Sequence, residues 1–199
     1  MSETCSEVEM SGRQKEIVTG LLLGDASITV SKGRKPQFSI EVVEEQFIEW
    51  VDSELGIFST GNIIERKFDN KKNTYKVSSR RLNQLDEYRD WYSSGSKRFP
   101  KDLTLNPLIL KLWYCTDGGK SVDDRWTKKE YARIASKNEC DRKEFILSLF
   151  EELPFDANWN DKYRFTFGRK ESYEFWEYIG EPLPGYEYKW PDEDRPEHL

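Results

Sequence analysis

The chain has 199 residues, of which 36% are hydrophobic and 14% aromatic, enough for a core in one large domain or two small ones. The one histidine, His198, lies at the C-terminal end, which excludes zinc fingers, histidine nucleases and Ser-His-Asp triads, since each needs an internal imidazole. The net charge of −6 argues at first against a nucleic-acid partner, and three cysteines at unrelated spacings (Cys5, Cys115, Cys140) argue against a disulfide framework and for a reducing compartment.

Residues 1–10 are acidic and lack the apolar core of a secretory signal. No run approaches the roughly 18 apolar residues of a membrane span, so an intracellular, non-secreted protein is expected. Residues 16–26 (EIVTGLLLGDA) predict a short, buried, nearly all-apolar helix. Residues 27–30 and 36–43 read as strands around a Gly-Pro turn. Residues 44–55 put Phe47, Ile48, Val51 and Leu55 on one helical face, and Gly56 stops it. Strands over 62–68 and 74–79 follow, joined by a polar turn, then a helix over 81–91 with Leu82, Leu85 and Tyr88 on one stripe. Residues 93–107 form a loop.

The order then repeats. Residues 107–118 (PLILKLWYCTDG) predict a second apolar helix, 126–136 a strand, 140–153 an amphipathic helix and 171–179 the last helix. Phe47-Ile48 and Leu55-Gly56 are spaced like Phe145-Ile146 and Leu153-Pro154, and Tyr75-Lys76-Val77-Ser78 parallels Tyr163-Arg164-Phe165-Thr166. Asp25 precedes Lys97 by 72 positions, and Asp117 precedes Lys189 by the same 72. Each lysine shortly precedes a proline, Pro100 or Pro191. Taken singly, Asp25 also reads as a helix-ending polar residue, and Asp117-Gly118-Gly119 as a plain turn. Paired at equal spacing in a repeat, they point to a pseudo-dimer with its site on the pseudo-twofold axis.

Charge is segregated. Segments 29–40, 65–81, 120–137 and 160–170 carry a net +14, leaving −20 on the rest of the chain. These four are also the best strand candidates. Two-stranded ribbons fit a major groove, where most contacts go to phosphates. As a set, Lys32, Arg34, Lys35, Arg66, Lys67, Lys76, Arg125, Lys128, Arg133, Arg164 and Arg169 read either as the solvated side of their strands or, with the resemblance described next, as the candidate DNA-contacting cations. Alternation along a strand sends about half of them to the groove side.

Residues 18–26 (VTGLLLGDA) resemble the nine-residue LAGLIDADG signature, and residues 110–118 (LKLWYCTDG), followed by Gly119-Lys120, resemble its second copy. With the two lysine motifs, the chain is similar from about Gln14 to Pro191 to single-chain LAGLIDADG homing endonucleases. The resemblance implies an α+β fold of pseudo-twofold duplicated αββαββα halves, residues 14–106 and 107–191, flanked by tails 1–13 and 192–199. It implies two antiparallel, saddle-shaped DNA-binding sheets with the two motif helices packed at the interface. Gly20 and Gly24 would let those helices approach, while Leu112 and Thr116 at the equivalent places make the interface asymmetric.

By the same resemblance, Asp25 and Asp117 hold Mg²⁺ or another divalent cation such as Mn²⁺, with the carbonyls of Gly24 and Thr116 as further ligands. Lys97 and Lys189 would act beside the reacting phosphate. The implied activity is site-specific hydrolysis of both strands of double-stranded DNA at a long asymmetric target by a monomer. The rival readings are an RNA maturase, which would bind RNA, and a non-cutting DNA-binding regulator. Leu23 and Cys115-Thr116 stand where the family often has acidic residues, but neither departure touches the two aspartates.

Overall fold

The computed structural model describes residues 8–93, 95–123, 129–160 and 164–192. The first helix, α1 (Gly12–Leu23), starts earlier than the apolar run suggests because Ser11 and Gln14 cap it reciprocally. Ser11 Oγ accepts from the Gln14 N–H at 3.2 Å, and Gln14 Oε1 accepts from the Ser11 N–H at 3.0 Å. Ile17, Val18, Leu21, Leu22 and Leu23 are all buried, so the helix is covered around most of its circumference. It ends at Leu23, leaving Gly24, Asp25 and Ala26 beyond its last turn.

Next come β1 (Ser27–Thr29), β2 (Gln37–Val42), α2 (Glu45–Leu55), β3 (Ile64–Arg66) and β4 (Thr74–Ser78). The strands form an antiparallel sheet in the order β1-β2-β4-β3. The plan repeats with α3 (Pro107–Asp117), β5 (Gly118–Asp123), β6 (Lys129–Ala135), α4 (Lys143–Ser148), β7 (Asn158–Asn160), β8 (Arg164–Thr166) and α5 (Arg169–Ile179), the second sheet running β5-β6-β8-β7. Ile40 faces Val77 in the first sheet as Ile134 faces Phe165 in the second. Each sheet therefore has one face under helices, α2 on β2 and β4 and α5 on β6, and one open, largely polar face.

The two sheets are joined through α1 and α3, the most extensive helix contact in the molecule. Asn106 caps α3 by accepting from the Ile109 N–H at 2.9 Å, and Pro107 occupies the first helical position, where a missing N–H costs nothing. An added Cβ on Gly20 would lie 2.8 Å from the Ile109 carbonyl oxygen and from the Leu112 Cβ, and one on Gly24 would lie 1.9 Å from Thr116 Oγ1. The seam is asymmetric as its residues suggest: Gly20 on α1 and Gly24 just past its end receive Leu112 and Thr116 of α3. Behind α3, Trp113 is fully buried between Phe99 and Phe165, each ring centroid 5.4 Å away in edge-on geometry.

Three elements differ from their sequence expectation. Residues 83–92 form a 3₁₀ helix rather than an α-helix, because Leu82, Leu85, Tyr88 and Trp91 recur every third residue, the period of a threefold helix. The helix expected over 140–153 shrinks to α4, preceded by a 3₁₀ segment (Lys137–Arg142). Ile146 and Phe150 are buried there, while Phe145, Leu149 and Leu153 are only partly so. The Asp117-Gly118-Gly119 turn is instead the entry to β5, a strand that its glycines concealed. Gly118 is required because a Cβ there would lie 2.1 Å from the Tyr114 ring. Tyr75 sits on the helix-covered side of β4, opposite Val42. Among the described residues no helix is long and apolar enough to cross a membrane. Tyr163 and the tail beyond residue 192 lie outside the described residues.

Candidate active site

Both motif aspartates stand just where a buried helix gives way to a strand. Asp25 follows α1 and leads into β1; Asp117 ends α3 and leads into β5. The close approach at Gly24 and Thr116 brings these exits together, with the Gly24 Cβ position 3.7 Å from the carboxyl carbon of Asp117. The two aspartates line one cavity of about 230 Å³ with Gly24, Phe99, Ser136 and Lys137. Asp25 is exposed at its mouth and Asp117 half-buried.

The two lysines arrive from distant segments, and each binds a pair of carbonyls on either side of its own aspartate. Lys97 Nζ donates to the carbonyls of Gly24 and, at 3.1 Å, Ala26, which flank Asp25. Lys189 Nζ donates to the carbonyls of Cys115 at 2.5 Å and Gly118 at 2.8 Å, which bracket Asp117. Lys189 is buried and its ammonium lies 4.7 Å from the Tyr186 ring. Tyr114 fixes the backbone behind it by donating its hydroxyl to the Lys189 carbonyl at 2.6 Å.

Electrostatics follow this geometry. Burial, reinforced by the charge of Asp25, pushes the Asp117 carboxyl up to about 6, against the pull of Lys97 and Lys189. Desolvation also raises Asp25, again opposed by the two lysines. Desolvation lowers both lysines, and the carboxylates partly offset it. Each aspartate thus feels both lysines, so the four groups form one cluster.

The donor set fits a hard divalent cation. Two carboxylates with access to solvent leave most coordination positions to water or phosphate, the habit of Mg²⁺. Among the described residues no group of three or more His, Cys, Asp or Glu could form an all-protein cage. The Gly24 carbonyl already accepts from Lys97, so any role as a metal ligand shares that oxygen. The Thr116 hydroxyl donates to the carbonyls of Leu112 at 3.0 Å and Trp113 at 3.2 Å, which turns its proton back onto its own helix.

The candidate DNA-contacting cations divide. Lys76 and Arg66 lie on the open face of the first sheet, across from Glu41 and Thr74 respectively, and Arg66 pairs with Glu41 at 3.0 Å. Arg133 and Arg164 lie on the open face of the second sheet and line a cavity of about 260 Å³ with Asp117 and Gly119. Lys32, Arg34 and Lys35 are exposed in the β1–β2 turn, which Arg81 and Arg89 brace by donating to the carbonyls of Lys35 and Arg34. Lys67 falls one residue past β3 and pairs with Glu65, and Arg169 starts α5 instead of lying on a strand. Arg125 and Lys128 lie outside the described residues.

Sequence reasoning missed Lys129 and Tyr131, which share the open face with Arg133. Counting back by two from Arg133 finds both. Lys120, two residues past the second motif, turns to the helix side and pairs with Glu130 at 3.1 Å and with Asp192.

A sequence model of the LAGLIDADG DNA endonuclease family matches residues 15–180. Among curated proteins, the chain is 32% identical over 119 residues to the cytochrome b mRNA maturase bI2 of Debaryomyces hansenii, covering 53% of this chain and 45% of the maturase. It is 26% identical over 170 residues to an uncharacterized protein of Methanocaldococcus jannaschii, covering 78% of this chain and 62% of that one. The chain thus spans about half to two thirds of these relatives. Among solved structures, the homing endonuclease I-WcaI bound to its DNA recognition sequence superposes with a TM-score of 0.78 at 19% identity, covering 92% of this chain and 87% of that one. The N-terminal LAGLIDADG domain of DUF199/WhiA gives 0.51 at 14% identity, covering 90% and 92%. With two motif helices, two sheets of one topology and a family match across most of its length, this chain belongs to the LAGLIDADG DNA endonuclease family.

Proposed function

We propose that the protein is a metal-dependent, site-specific endonuclease that cuts both strands of a DNA duplex, working as a monomer with residues 14–106 and 107–191 as its two halves. The observation that carries this reading is the single cluster of Asp25, Asp117, Lys97 and Lys189 at the junction of the two sheets. The fold shared with a homing endonuclease solved on its DNA target supports the choice of duplex DNA.

Each part of the cluster has a chemical task. Asp25 and Asp117 offer hard oxygen ligands at the two helix exits. A divalent cation bound there, Mg²⁺ or Mn²⁺, supplies Lewis-acid activation and charge neutralisation for an in-line displacement at phosphorus. Lys97 and Lys189 clamp the carbonyls beside the aspartates, which fixes where the carboxylates point. An ammonium has three N–H donors, and two carbonyl bonds leave one of them for a phosphate oxygen.

The open sheet faces position the duplex. Lys76→Ala and Arg133→Ala should each weaken target binding and reduce the slope of log affinity against log salt by about 1. Gel shifts at several salt concentrations measure this, and an unchanged slope removes that residue from the interface.

The primary test is selection of cleaved sites from random duplex DNA with Mg²⁺, repeated with EDTA. Recovery of one asymmetric target only when metal is present supports the reading; cutting that is indifferent to EDTA, or no cutting of any duplex, overturns it. The maturase relative favours a second reading, in which the open faces bind structured RNA. Tight RNA binding that persists without metal and without any DNA cleavage would select that reading.

A further inference from the structure

We infer that the segment carrying each site lysine docks on the half of the molecule to which it does not belong, while the ammonium itself binds carbonyls of its own half, and that the buried carboxylate of Glu139 is the positioning residue for Lys97. The nuclease role of Lys97 rests on the reading above; its anchoring does not.

Lys97 reaches the site from the segment that follows the first sheet. Two residues later, Phe99 is gripped at both backbone groups by the second half. Its N–H donates to Glu139 Oε1 at 2.8 Å, and its carbonyl accepts from Arg142 Nη2 at 2.9 Å. Its ring packs edge-on against Trp113 of α3. Arg98, between them, forks onto the Asp141 carboxylate at 2.5 and 3.0 Å and donates to the Asn138 carbonyl at 2.7 Å. All these partners outside α3 come from the 3₁₀ segment Lys137–Arg142, directly after β6.

Lys189 mirrors the arrangement. Its strap crosses to the start of α2 in the first half, directly after β2. Tyr186 packs edge-on against Phe47 with centroids 4.9 Å apart, and the Tyr188 hydroxyl lies 3.2 Å from Glu44 Oε1. Gly185 permits the crossing, since its φ of 84° suits glycine and its Cβ position is 3.1 Å from Glu44. The exchange is reciprocal: each strap docks through an aromatic ring and a carboxylate, but only the strap of Lys97 docks on a fully buried one.

Glu139 is 0% exposed. A carboxylate withdrawn from water is destabilising unless its oxygens are matched, and an apolar residue would fill a merely space-filling position without that penalty. Its oxygens go to the strap and to Arg142, which itself holds the strap; Arg142 Nε donates to it at 2.7 Å and Arg98 approaches to 3.7 Å. The carboxylate therefore spends its hydrogen-bonding capacity fixing a backbone that ends in Lys97.

The test uses the full chain carrying Glu139→Ala, Glu139→Gln or Arg98→Ala, with circular dichroism to verify folding. Acetylation of lysines by an N-hydroxysuccinimide ester at fixed pH, read residue by residue by mass spectrometry, reports anchoring without any DNA chemistry. Glu139→Ala should raise the labelling rate of Lys97 by about tenfold through local opening of the strap, leaving Lys189 as protected as in the parent. Glu139→Gln, which keeps an acceptor for the Phe99 N–H, should fall between. On a plasmid bearing the selected target, Glu139→Ala should accumulate nicked circles with DNA affinity unchanged, since one lysine of two is displaced. Unchanged protection of Lys97, or equal loosening of Lys97 and Lys189, overturns the proposal. If Glu139→Ala does not fold, Arg98→Ala decides on the same criterion. If the parent cuts no duplex, the nuclease reading falls, while the labelling result still decides the anchoring.

Discussion

Asp117→Asn is expected to abolish double-strand cleavage, lowering the rate by about 10²–10³ or more, because an amide neither carries charge nor holds a hard cation as a carboxylate does. The same change should leave target binding intact and make the metal-free protein more stable. The carboxyl is raised to about 6 in the folded chain, from 3.8, by burial and by Asp25. A raised acid binds its proton more tightly folded than unfolded, so its contribution to stability is complete below about pH 4 and is lost as pH rises through about 6. At neutral pH the ionised group therefore opposes folding, by about 1–2 kcal/mol after allowance for the solvent that still reaches it. Thermal melts in EDTA should show parent and variant converging near pH 4 and separating by pH 7, with the variant higher. Added Mg²⁺ should stabilise the parent and not the variant. A variant that cuts at the parental rate removes Asp117 from the chemistry; one that melts lower than the parent at pH 7 refutes the electrostatic argument.

How much of this was legible from the residues depends on where the determining interaction lies. The duplicated plan and both motif helices were readable because residues 17–23 and 107–115 are nearly all-apolar runs whose landmarks recur at fixed spacing, while the glycine seam followed from the resemblance to the LAGLIDADG signature. The candidate site was readable as four residues, Asp25, Asp117, Lys97 and Lys189, because equal spacing in two halves constrains all four together. Alternation marked the limit on the strands: Lys129 and Tyr131 share the open face of β6 with Arg133, and a one-residue shift on a strand reverses the face.

What the sequence hid was set by long-range partners. Lys120 opens the basic segment 120–137, yet Glu130 and Asp192 hold it on the helix side of β5. The 3₁₀ segment Lys137–Arg142 replaces the first turns of an expected helix, and its side chains clamp a strap some forty positions earlier. Local propensity carries no record of such a partner. A threefold repeat of large apolar residues at 82, 85, 88 and 91 was a readable signal for the other 3₁₀ helix, and the 3.6-residue template obscured it.

The glycine seam yields the second large expected effect. Gly24→Ala places a methyl 1.9 Å from Thr116 Oγ1 and 2.7 Å from its Cβ. Thr116 cannot simply turn away, since its hydroxyl is tied to two carbonyls of its own helix. The exits of α1 and α3 must therefore separate. Overpacking of this kind costs about 1–3 kcal/mol, and a displacement of about 1 Å between reacting groups costs about a hundredfold in rate. Both aspartates and both lysine-bound carbonyl pairs ride on these exits, so activity should fall further than stability. Thr116→Gly removes the colliding atoms, and the double variant should recover stability and rate well beyond the sum of the single changes. Melting temperatures and single-turnover rates on the selected target, arranged as a double-mutant cycle, measure this. Additive losses would mean that the helix exits do not meet at Gly24 and Thr116, and the shared carboxylate cluster would then lose its structural basis.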